Sequence, residues 1–404
     1  MYALGHEAFG VNNFCLPAPL STALELGSRA RLSAHTLRDY ALRPGCTDPS
    51  AVPWCAEALS PEWLTPALCH GVPGAKVIRV EVTSASAGSS VRKRVRVSYN
   101  AAGIEAGLPQ DLFAKTTPDV LTRLTSGTSA GQEARFFMSL APELRLEVPA
   151  HCVSRFDRVT GRSLHLFEDV VVRRGARFCD AGTAFSQTEM AAALVSLARL
   201  HGATYGDPRL DSSLGWIPRY ETFFAALAAT GTREGHDRAM MEARAVIPPA
   251  VHAARERLWP AAEASLADHG VGPRSVIHSD VHPGNWYLTP DGRPGLCDWQ
   301  CIAQGHWARD LAYALSSMLE PEARRAWQPQ LIAGYLHALK ASGGPAVTHE
   351  DATALYRRQL PVALLMWTPT LCHPPTMPDM QPPEVSLAMI RRITTAIDDA
   401  GGLP

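Results

Sequence analysis

Several features that would place this chain of 404 residues in a special class are missing from its sequence. No stretch approaches the roughly 20 consecutive apolar residues of a membrane-spanning helix, and the first residues carry neither a basic segment nor a long apolar run. Nine cysteines occur without regular spacing, which suits a reducing compartment better than a disulfide framework. The formal net charge of −1 gives no electrostatic reason to expect DNA, RNA or an anionic membrane as a partner. We therefore expect a cytoplasmic protein with no membrane insertion and no nucleic-acid partner.

The phosphate-binding motif G-x-x-x-x-G-K-[ST] is also absent, which argues against a P-loop enzyme. A different polar pattern begins at position 278, where His278-Ser-Asp280-Val-His-Pro-Gly-Asn285 is followed after twelve residues by Asp298. Phosphoryl transfer requires an acceptor hydroxyl held in line and charge neutralised on the transferring group. We predict that Asp280 orients the hydroxyl and accepts its proton. Oxygens of Asn285 and Asp298 are predicted to bind Mg²⁺, which prefers hard oxygen ligands.

The segment between these two metal-ligand candidates has the pattern of a hairpin. Residues 286–288 and 295–297 are typical of two short strands, and the Thr-Pro-Asp-Gly-Arg-Pro segment between them is typical of a turn. We therefore expect Asn285 and Asp298 on opposite ends of one hairpin.

Zinc binding is an alternative for the same segment. His278 and His282 are separated by three residues, as are Cys297 and Cys301, and both spacings resemble those of zinc sites. The proline and glycine after His282 break any helix that would face the two histidines together, and Cys297 fits a buried strand position. These features favour the magnesium interpretation.

These residues resemble the catalytic loop and metal-binding strand of the superfamily of aminoglycoside phosphotransferases, choline kinases and ecdysteroid kinase-like enzymes. That superfamily carries H-x-D-x-x-x-x-N followed by D-W or D-F-E/Q, and both halves are present here. Ser279 stands where protein kinases have Arg, which argues against a protein substrate. Residues 305–312 resemble the family's G-x-x-x-x-D-L-A, and the resemblance implies that Asp310 has a structural role under the catalytic loop.

The resemblance covers roughly residues 75–345 and implies a fold. We expect an α+β, bilobal, protein-kinase-like fold, with an antiparallel sheet in a small N-terminal lobe and a larger, mainly helical C-terminal lobe. The length suffices for two separate cores. We place an N-terminal helical extension at 1–70, a nucleotide-binding small lobe at 71–170, and a catalytic and acceptor-binding large lobe at 171–404.

A kinase also needs a lysine for the nucleotide phosphates and an acid that holds it. Residues 111–115 have the pattern of a short apolar strand that ends in Lys115, and Glu133 begins a helical pattern whose apolar face includes Phe136. We predict an ion pair between Lys115 and Glu133. The alternatives are a solvated lysine at a strand end and an ordinary acid in the first turn of a helix.

A hairpin is predicted upstream of this pair, with strands at 77–82 and 91–97 and a turn of small residues at 83–90. Such a turn can approach phosphates through its backbone N–H groups, so Ser89 and Ser90 are candidates for nucleotide binding. The turn contains a single glycine, and an ordinary hairpin explains the pattern equally well.

Three arginines alternate with valines along the second strand of this hairpin. Arg92, Arg94 and Arg96 fall on one face of a half-exposed strand. We predict that this face is solvated.

Residues 163–170 resemble the family's L-x-L-E-D-L, the strand that enters the hinge between the lobes. The resemblance implies that backbone groups of this segment pair with adenine, and Phe167, Glu168 and Val170 are the candidates. A polar end of an edge strand is the alternative for Glu168.

The acceptor pocket is expected between the catalytic loop and the helices after position 310. That region contains Tyr335, Trp367 and Cys372 but only scattered acids such as Asp379 and Glu384. Polycationic aminoglycosides would require a dense ring of carboxylates. We therefore predict a phosphotransferase that uses ATP and Mg²⁺ and transfers the γ-phosphate to a hydroxyl of an apolar, non-protein metabolite or antibiotic. The alternatives are an aminoglycoside-type antibiotic kinase and a catalytically silent, kinase-like nucleotide-binding protein.

Overall fold

A computed structural model describes residues 18–87, 91–126, 129–375, 377 and 379–403. Within these ranges no helix is both long and apolar enough to cross a bilayer. An antiparallel five-stranded sheet lies in the N-terminal half, and a mainly helical region follows it. The expected α+β, bilobal, protein-kinase-like fold is confirmed.

The sheet of the small lobe has the strand order β1-β2-β3-β5-β4, with every neighbouring pair antiparallel. Its strands are β1 (Val77–Ala87), β2 (Val91–Tyr99), β3 (Asp111–Thr116), β4 (His151–Phe156) and β5 (Ser163–Glu168). The helices of this half are α1 (Ala18–Leu42), α2 (Pro61–Leu68), α3 (Ala101–Glu105), α4 (Val120–Ser126), α5 (Ser129–Arg135) and α6 (Val170–Arg174), and a π-helical turn, Phe136–Leu140, continues α5.

Alternating apolar residues explain why this sheet has one buried face. Val95 and Val97 of β2 and Leu112 of β3 are buried, and they pack in one cluster with Trp63 and Leu64 of α2. Residues before position 70 therefore contribute large side chains to the core of the small lobe.

The first hairpin has longer strands and a shorter turn than predicted. Strand β1 continues to Ala87, which pairs with Val91, because threonine and serine in this stretch are accommodated in a ladder of hydrogen bonds with β2. Ser89 and Ser90 lie outside the described residues.

The large lobe is built on helices that surround a fully buried helix, α12. All residues of α12 are buried, as expected for a helix packed on every side. In chain order the helices are α7 (Gln187–Ala203), α8 (Tyr220–Leu227), α9 (Arg233–Glu242), α10 (Pro249–Ala253), α11 (Leu258–Ser265), α12 (Ala308–Met318), α13 (Pro321–Ala341), α14 (His349–Leu364), α15 (Thr368–Leu371) and α16 (Pro383–Asp399).

Short strands lie at the junction between this lobe and the sheet. They are β6 (Arg177–Phe178), β7 (Ser275–Ile277), β8 (Trp286–Leu288), β9 (Pro294–Leu296) and β10 (Ala303–Gly305). Strands β8 and β9 form the predicted hairpin, with the second strand ending one residue earlier than expected.

The expectation that Asn285 and Asp298 lie on opposite ends of the hairpin is wrong. In an antiparallel pair the start of the first strand and the end of the second lie at the same edge. The N–H of Cys297 donates to the carbonyl oxygen of Asn285 over 2.9 Å, which closes this open end. The two predicted metal ligands therefore leave the hairpin side by side.

Candidate active site

The loop after β7 carries Asp280 and is fixed from below by Asp310. The two oxygens of the Asp310 carboxylate accept the backbone N–H groups of His278, at 2.7 Å, and Ser279, at 2.9 Å. Ser279 has a φ of 69°, a left-handed conformation that a residue with a side chain seldom adopts. Because α12 is buried on all sides, Asp310 holds this strained turn rigidly. The structural role predicted for Asp310 is confirmed.

The carboxylate of Asp280 has three side-chain neighbours, Asn285, Tyr313 and His282. The amide nitrogen of Asn285 donates to Asp280 Oδ2 over 3.1 Å and to its backbone oxygen over 2.8 Å. The hydroxyl of Tyr313 donates to Asp280 Oδ1 over 3.3 Å, and His282 Nε2 lies 3.7 Å from Oδ2. The side chain of Asp280 keeps an exposed fraction of 23%, so an acceptor hydroxyl can reach its carboxylate.

Sequence reasoning missed Tyr313 as a neighbour of Asp280. Burial raises the pKa of Tyr313 well above its ordinary value, and the charge of Asp280 acts in the same direction. The phenol therefore stays protonated and remains a hydrogen-bond donor. A signal was present in the sequence, because Tyr313 follows Asp310 by three residues, and residues at this spacing share one face of a helix.

The predicted ion pair between Lys115 and Glu133 is present, and Asp298 joins it. Lys115 Nζ lies 2.8 Å from Glu133 Oε2 and 2.8 Å from Asp298 Oδ1. On the other side, a terminal guanidinium nitrogen of Arg92 lies 3.0 Å from Asp298 Oδ2. The fold thus brings two cations and two carboxylates together from β2, β3, α5 and the segment after β9.

Burial and charge act against each other in this cluster. Burial would lower the pKa of Lys115, but the charges of Asp298 and Glu133 outweigh it and raise the pKa. Burial also favours the neutral form of Asp298, yet Lys115 and Arg92 hold its pKa well below the usual range. For Glu133 burial is the larger effect and its pKa is raised, although Lys115 opposes the change. Asp298 is therefore ionised and available as an oxygen ligand.

The prediction of a solvated face for the arginines of β2 is wrong for Arg92. Arg96 follows the prediction, with an exposed fraction of 68%, but Arg92 has an exposed fraction of 31% and is ion-paired. Arg94 is half exposed and donates to the buried Asp169 over 2.7 Å. The alternation of apolar and basic residues was read correctly. It cannot distinguish a face open to solvent from one that a second lobe covers.

Glu133 is tied to the segment that carries Asp298 by contacts other than the ion pair. Asp298 has a left-handed φ of 63°, and the N–H of the next residue, Trp299, donates to Glu133 Oε1 over 3.2 Å. The indole of Trp299 stacks on Phe136, with 3.6 Å between ring centroids. Helix α5 and the segment that carries Asp298 are therefore packed together by contacts beyond the ion pair.

The hinge candidates lie at the end of β5. The side chain of Phe167 is buried 4.7 Å from Phe137, measured between ring centroids. Glu168 accepts the N–H of Ala150 over 3.1 Å and is ion-paired with Arg174. The segment is thus an ordered strand end rather than a free loop.

Some backbone N–H groups at the hinge donate hydrogen bonds within the protein, and one does not. The N–H of Glu168 donates to Ala150, and the N–H of Asp169 donates to Asp111. Asp169 also caps α6 by accepting the N–H of Val171 over 3.0 Å. The N–H of Val170 has no hydrogen-bond partner within the described ranges.

The donor set fits Mg²⁺ and does not fit zinc. The amide nitrogen of Asn285 is used by Asp280, which leaves its oxygen for a metal, and Asp298 supplies an ionised carboxylate. His278 is engaged with the N–H of Asp280 and the carbonyl of Cys297. Across residues 18–87, 91–126, 129–375, 377 and 379–403, no three His, Cys, Asp or Glu side chains gather as a metal site.

The protein-kinase-like fold carries Asp280 beside Asn285 and places Asp298 between Lys115 and Arg92, an arrangement that fits a small-molecule phosphotransferase. The family model for the phosphotransferase enzyme family matches residues 116–350, more than half of the chain, and the chain belongs to that family. The resemblance drawn from the motifs is confirmed. No curated protein matches the chain by sequence.

Solved structures of small-molecule kinases are similar to this chain at low sequence identity. Choline kinase LicA from Streptococcus pneumoniae is 16% identical, with a TM-score of 0.44, over 80% of this chain and 94% of LicA. Macrolide 2'-phosphotransferase MphH from Brachybacterium faecium is 19% identical, with a TM-score of 0.41, over 73% of this chain and 87% of MphH. A putative aminoglycoside phosphotransferase from Ralstonia eutropha JMP134 is 13% identical, with a TM-score of 0.46, over 84% of this chain and 96% of that chain.

Proposed function

We propose that this chain transfers the γ-phosphate of ATP to a hydroxyl of a small apolar molecule in a reaction that requires Mg²⁺. The observation that carries the proposal is the set of hydrogen-bond partners of the Asp298 carboxylate. In the described part of the chain its carboxylate is held only by the side chains of Lys115 and Arg92. Both are long and can turn toward a triphosphate while the carboxylate takes a metal ion in their place.

Lys115 and Arg92 would bind the phosphates once they leave Asp298. They are directly opposite each other on β3 and β2, so their charges act on the same region. Glu133 would keep Lys115 oriented during this change. Asn285 and Asp298 would hold Mg²⁺, which when bound supplies charge neutralisation on the transferring group.

Asp280 would act as the base for the acceptor hydroxyl. Tyr313 and Asn285 fix its carboxylate in one orientation, and the exposed part of that carboxylate can accept a hydroxyl. A base that is already oriented lowers the entropy that must be lost in the transition state.

The adenine ring would lie at the hinge. The unpartnered N–H of Val170 and the neighbouring carbonyl of Glu168 are a donor and an acceptor of the kind that an adenine edge requires. Phe167 would contribute its backbone only. Ser89 and Ser90 remain predicted phosphate contacts of the turn before β2.

The acceptor is proposed to be an apolar alcohol because two of the three neighbours of Asp280, Tyr313 and His282, are aromatic and none of the three is an acid. His282 packs edge-on against the buried Trp367, with 5.1 Å between ring centroids. The acids that the sequence offered do not form a ring, since Asp379 is exposed and paired with His373, and Glu384 is exposed. Tyr335 is buried against His201 and is part of the core rather than of a pocket wall.

An acceptor panel tests this function. The whole chain is incubated with Mg-ATP and with aminoglycosides, macrolides and apolar polycyclic alcohols, and each acceptor is examined by mass spectrometry for one added phosphate group. We expect phosphorylation of an apolar alcohol or a macrolide. Phosphorylation of aminoglycosides alone would refute the acceptor class but not the reaction, and nucleotide binding without any transfer would favour the catalytically silent alternative.

A further inference from the structure

We propose that His165 is a positioning residue for the ion pair between Lys115 and Glu133, and that a hydrogen-bonded chain through Ser154 and His151 fixes its tautomer. This inference rests on the proposed function, because it assigns His165 a part in nucleotide binding. The matched family segment and the hinge pattern at 163–170 both include His165, but no pattern in the sequence gave this residue a role.

His165 lies directly behind the ion pair. It is on β5 opposite Lys115 of β3, and its side chain has an exposed fraction of 1%. Its Nε2 lies 3.9 Å from Glu133 Oε2, the same oxygen that accepts from Lys115. This Nε2 has no hydrogen-bond partner among the described residues, and 3.9 Å is too long for a hydrogen bond. The imidazole thus faces the carboxylate without yet contacting it.

The other ring nitrogen of His165 is held by a chain of two hydrogen bonds. Ser154 Oγ lies 2.9 Å from His165 Nδ1 and 2.9 Å from His151 Nε2. A hydroxyl has one proton, so it donates to at most one imidazole, and when it donates to one it accepts from the other. The direction of the chain is therefore set by the tautomer of His165.

The carboxylate of Glu133 selects that tautomer. A lone pair on Nε2 would face the negative oxygen of Glu133, whereas an N–H there is attracted to it. The proton of His165 is therefore on Nε2, the hydroxyl of Ser154 donates to Nδ1, and His151 donates to Ser154.

This arrangement supplies what Glu133 lacks when a nucleotide binds. Lys115 then shares its charge between Glu133 and the phosphates, and a buried carboxylate whose cation is shared gains from a second donor. The N–H of His165 is aimed at the same oxygen and can close the remaining gap by a small shift of Glu133. Glu133 then stays in place and keeps Lys115 within reach of the phosphates.

The binding of AMP-PNP with Mg²⁺ to the whole chain, measured by calorimetry, tests this role. His165→Phe removes both nitrogens, and we expect the Kd to rise about tenfold, as for a lost hydrogen bond to a charged group. His165→Gln places an amide N–H near the position of Nε2 and should keep the Kd close to that of the wild type. His165→Asn places its amide near Nδ1 and should bind as weakly as His165→Phe.

His236 provides a matched control. It is also a fully buried histidine with one nitrogen bonded to a hydroxyl, that of Thr368 at 2.8 Å, and with an unpartnered Nε2. His236→Phe should leave the Kd for AMP-PNP unchanged. Melting temperatures without nucleotide identify any variant whose weaker binding follows from poor folding.

The outcomes separate the inference from the proposed function. A wild-type chain that does not bind AMP-PNP contradicts the proposed function. Wild-type affinity in His165→Phe, or equal affinities in the Gln and Asn variants, overturns the role of His165 alone. The wild-type tautomer gives a readout that no folding defect affects: ¹⁵N NMR of labelled histidines should show the proton of His165 on Nε2, and a proton on Nδ1 overturns the inference.

Discussion

Two carboxylates of this chain, Asp39 and Asp298, each lie between two cations, yet the two clusters differ in what else holds those cations. Asp39 of α1 is fully buried and ion-paired with Arg123 and Arg162. The three guanidinium nitrogens of Arg123 donate to Asp39 and to the backbone oxygens of Thr117 and Thr160. Because two of these acceptors are backbone oxygens, the guanidinium of Arg123 cannot turn away from Asp39 without losing hydrogen bonds to the backbone.

The cluster at Asp298 has partners that can leave. Its carboxylate is held by the side chains of Lys115 and Arg92, and its side chain keeps an exposed fraction of 14%. A ligand can therefore replace one set of charge partners by another without breaking backbone hydrogen bonds. The comparison teaches that the partners of a buried ion pair, more than its burial, distinguish a structural cluster from a functional one.

The largest effect is expected at Asp280, the proposed base, where a substitution should lower the rate of transfer and leave the stability of the fold unchanged. Asp280→Ala removes the group that accepts the hydroxyl proton, and transfer should fall by about 10³-fold. Binding of AMP-PNP and the free energy of unfolding should change little. Transfer is measured with radiolabelled ATP, and Asp398→Asn, at the exposed end of α16, is the control. Unchanged turnover in Asp280→Ala would remove Asp280 from the mechanism.

Asp39 should show the reverse pattern. Asp39→Asn leaves the buried guanidinium of Arg123 and the partly exposed guanidinium of Arg162 without this counter-charge, and we expect the free energy of unfolding to fall by about 3 kcal/mol. The folded fraction should bind AMP-PNP with the affinity of the wild type. Urea unfolding measures the first quantity and calorimetry the second. A loss below about 1 kcal/mol, as for an exposed pair, would break the comparison.

A smaller effect separates two arginines of one strand. Arg92→Met removes a proposed phosphate contact, and the Kd for AMP-PNP with Mg²⁺ should rise about tenfold, as for one lost charge-assisted hydrogen bond. Arg96→Met on the exposed part of the same strand is the matched control and should bind normally. Equal affinities in both variants would show that Arg92 makes no phosphate contact.

The smallest effect is expected in the pH dependence of the free energy of unfolding. Burial, with a contribution from Arg233, lowers the pKa of His236 from 6.5 to about 4. The unfolded chain therefore binds a proton between these values that the folded chain does not, and stability falls as the pH is lowered from 6.5 to 4. His236→Phe should flatten the slope of unfolding free energy by up to about 1.4 kcal/mol per pH unit in that window. An unchanged slope would show that His236 is protonated in the fold.

The sequence identified those parts of the site that short-range patterns encode. Asp280, Asn285 and Asp298 lie within one motif, and Lys115 and Glu133 end or begin elements whose apolar periodicity is visible. Lys115 and Glu133 each lie on an element that the sequence predicts, and the packing of those two elements produces the predicted ion pair. The fold class followed from the same elements.

The remaining features depend on packing between distant segments. Arg92 pairs with Asp298, 206 residues further along the chain, and no local pattern shows that the start of β2 meets this segment. The sequence patterns gave His165 no role, and only the register of β3 with β5 places it beside Lys115. Asp39 lies in the extension that the resemblance does not reach, where no motif marked it.

The Mg²⁺ dependence of nucleotide binding tests the exchange at Asp298 most directly. AMP-PNP is titrated into the wild type and into Asp298→Asn, each with and without Mg²⁺. We predict that Mg²⁺ increases the affinity of the wild type about tenfold or more and that Asp298→Asn abolishes this increase. Equal wild-type affinities in the presence and absence of Mg²⁺ would contradict the account.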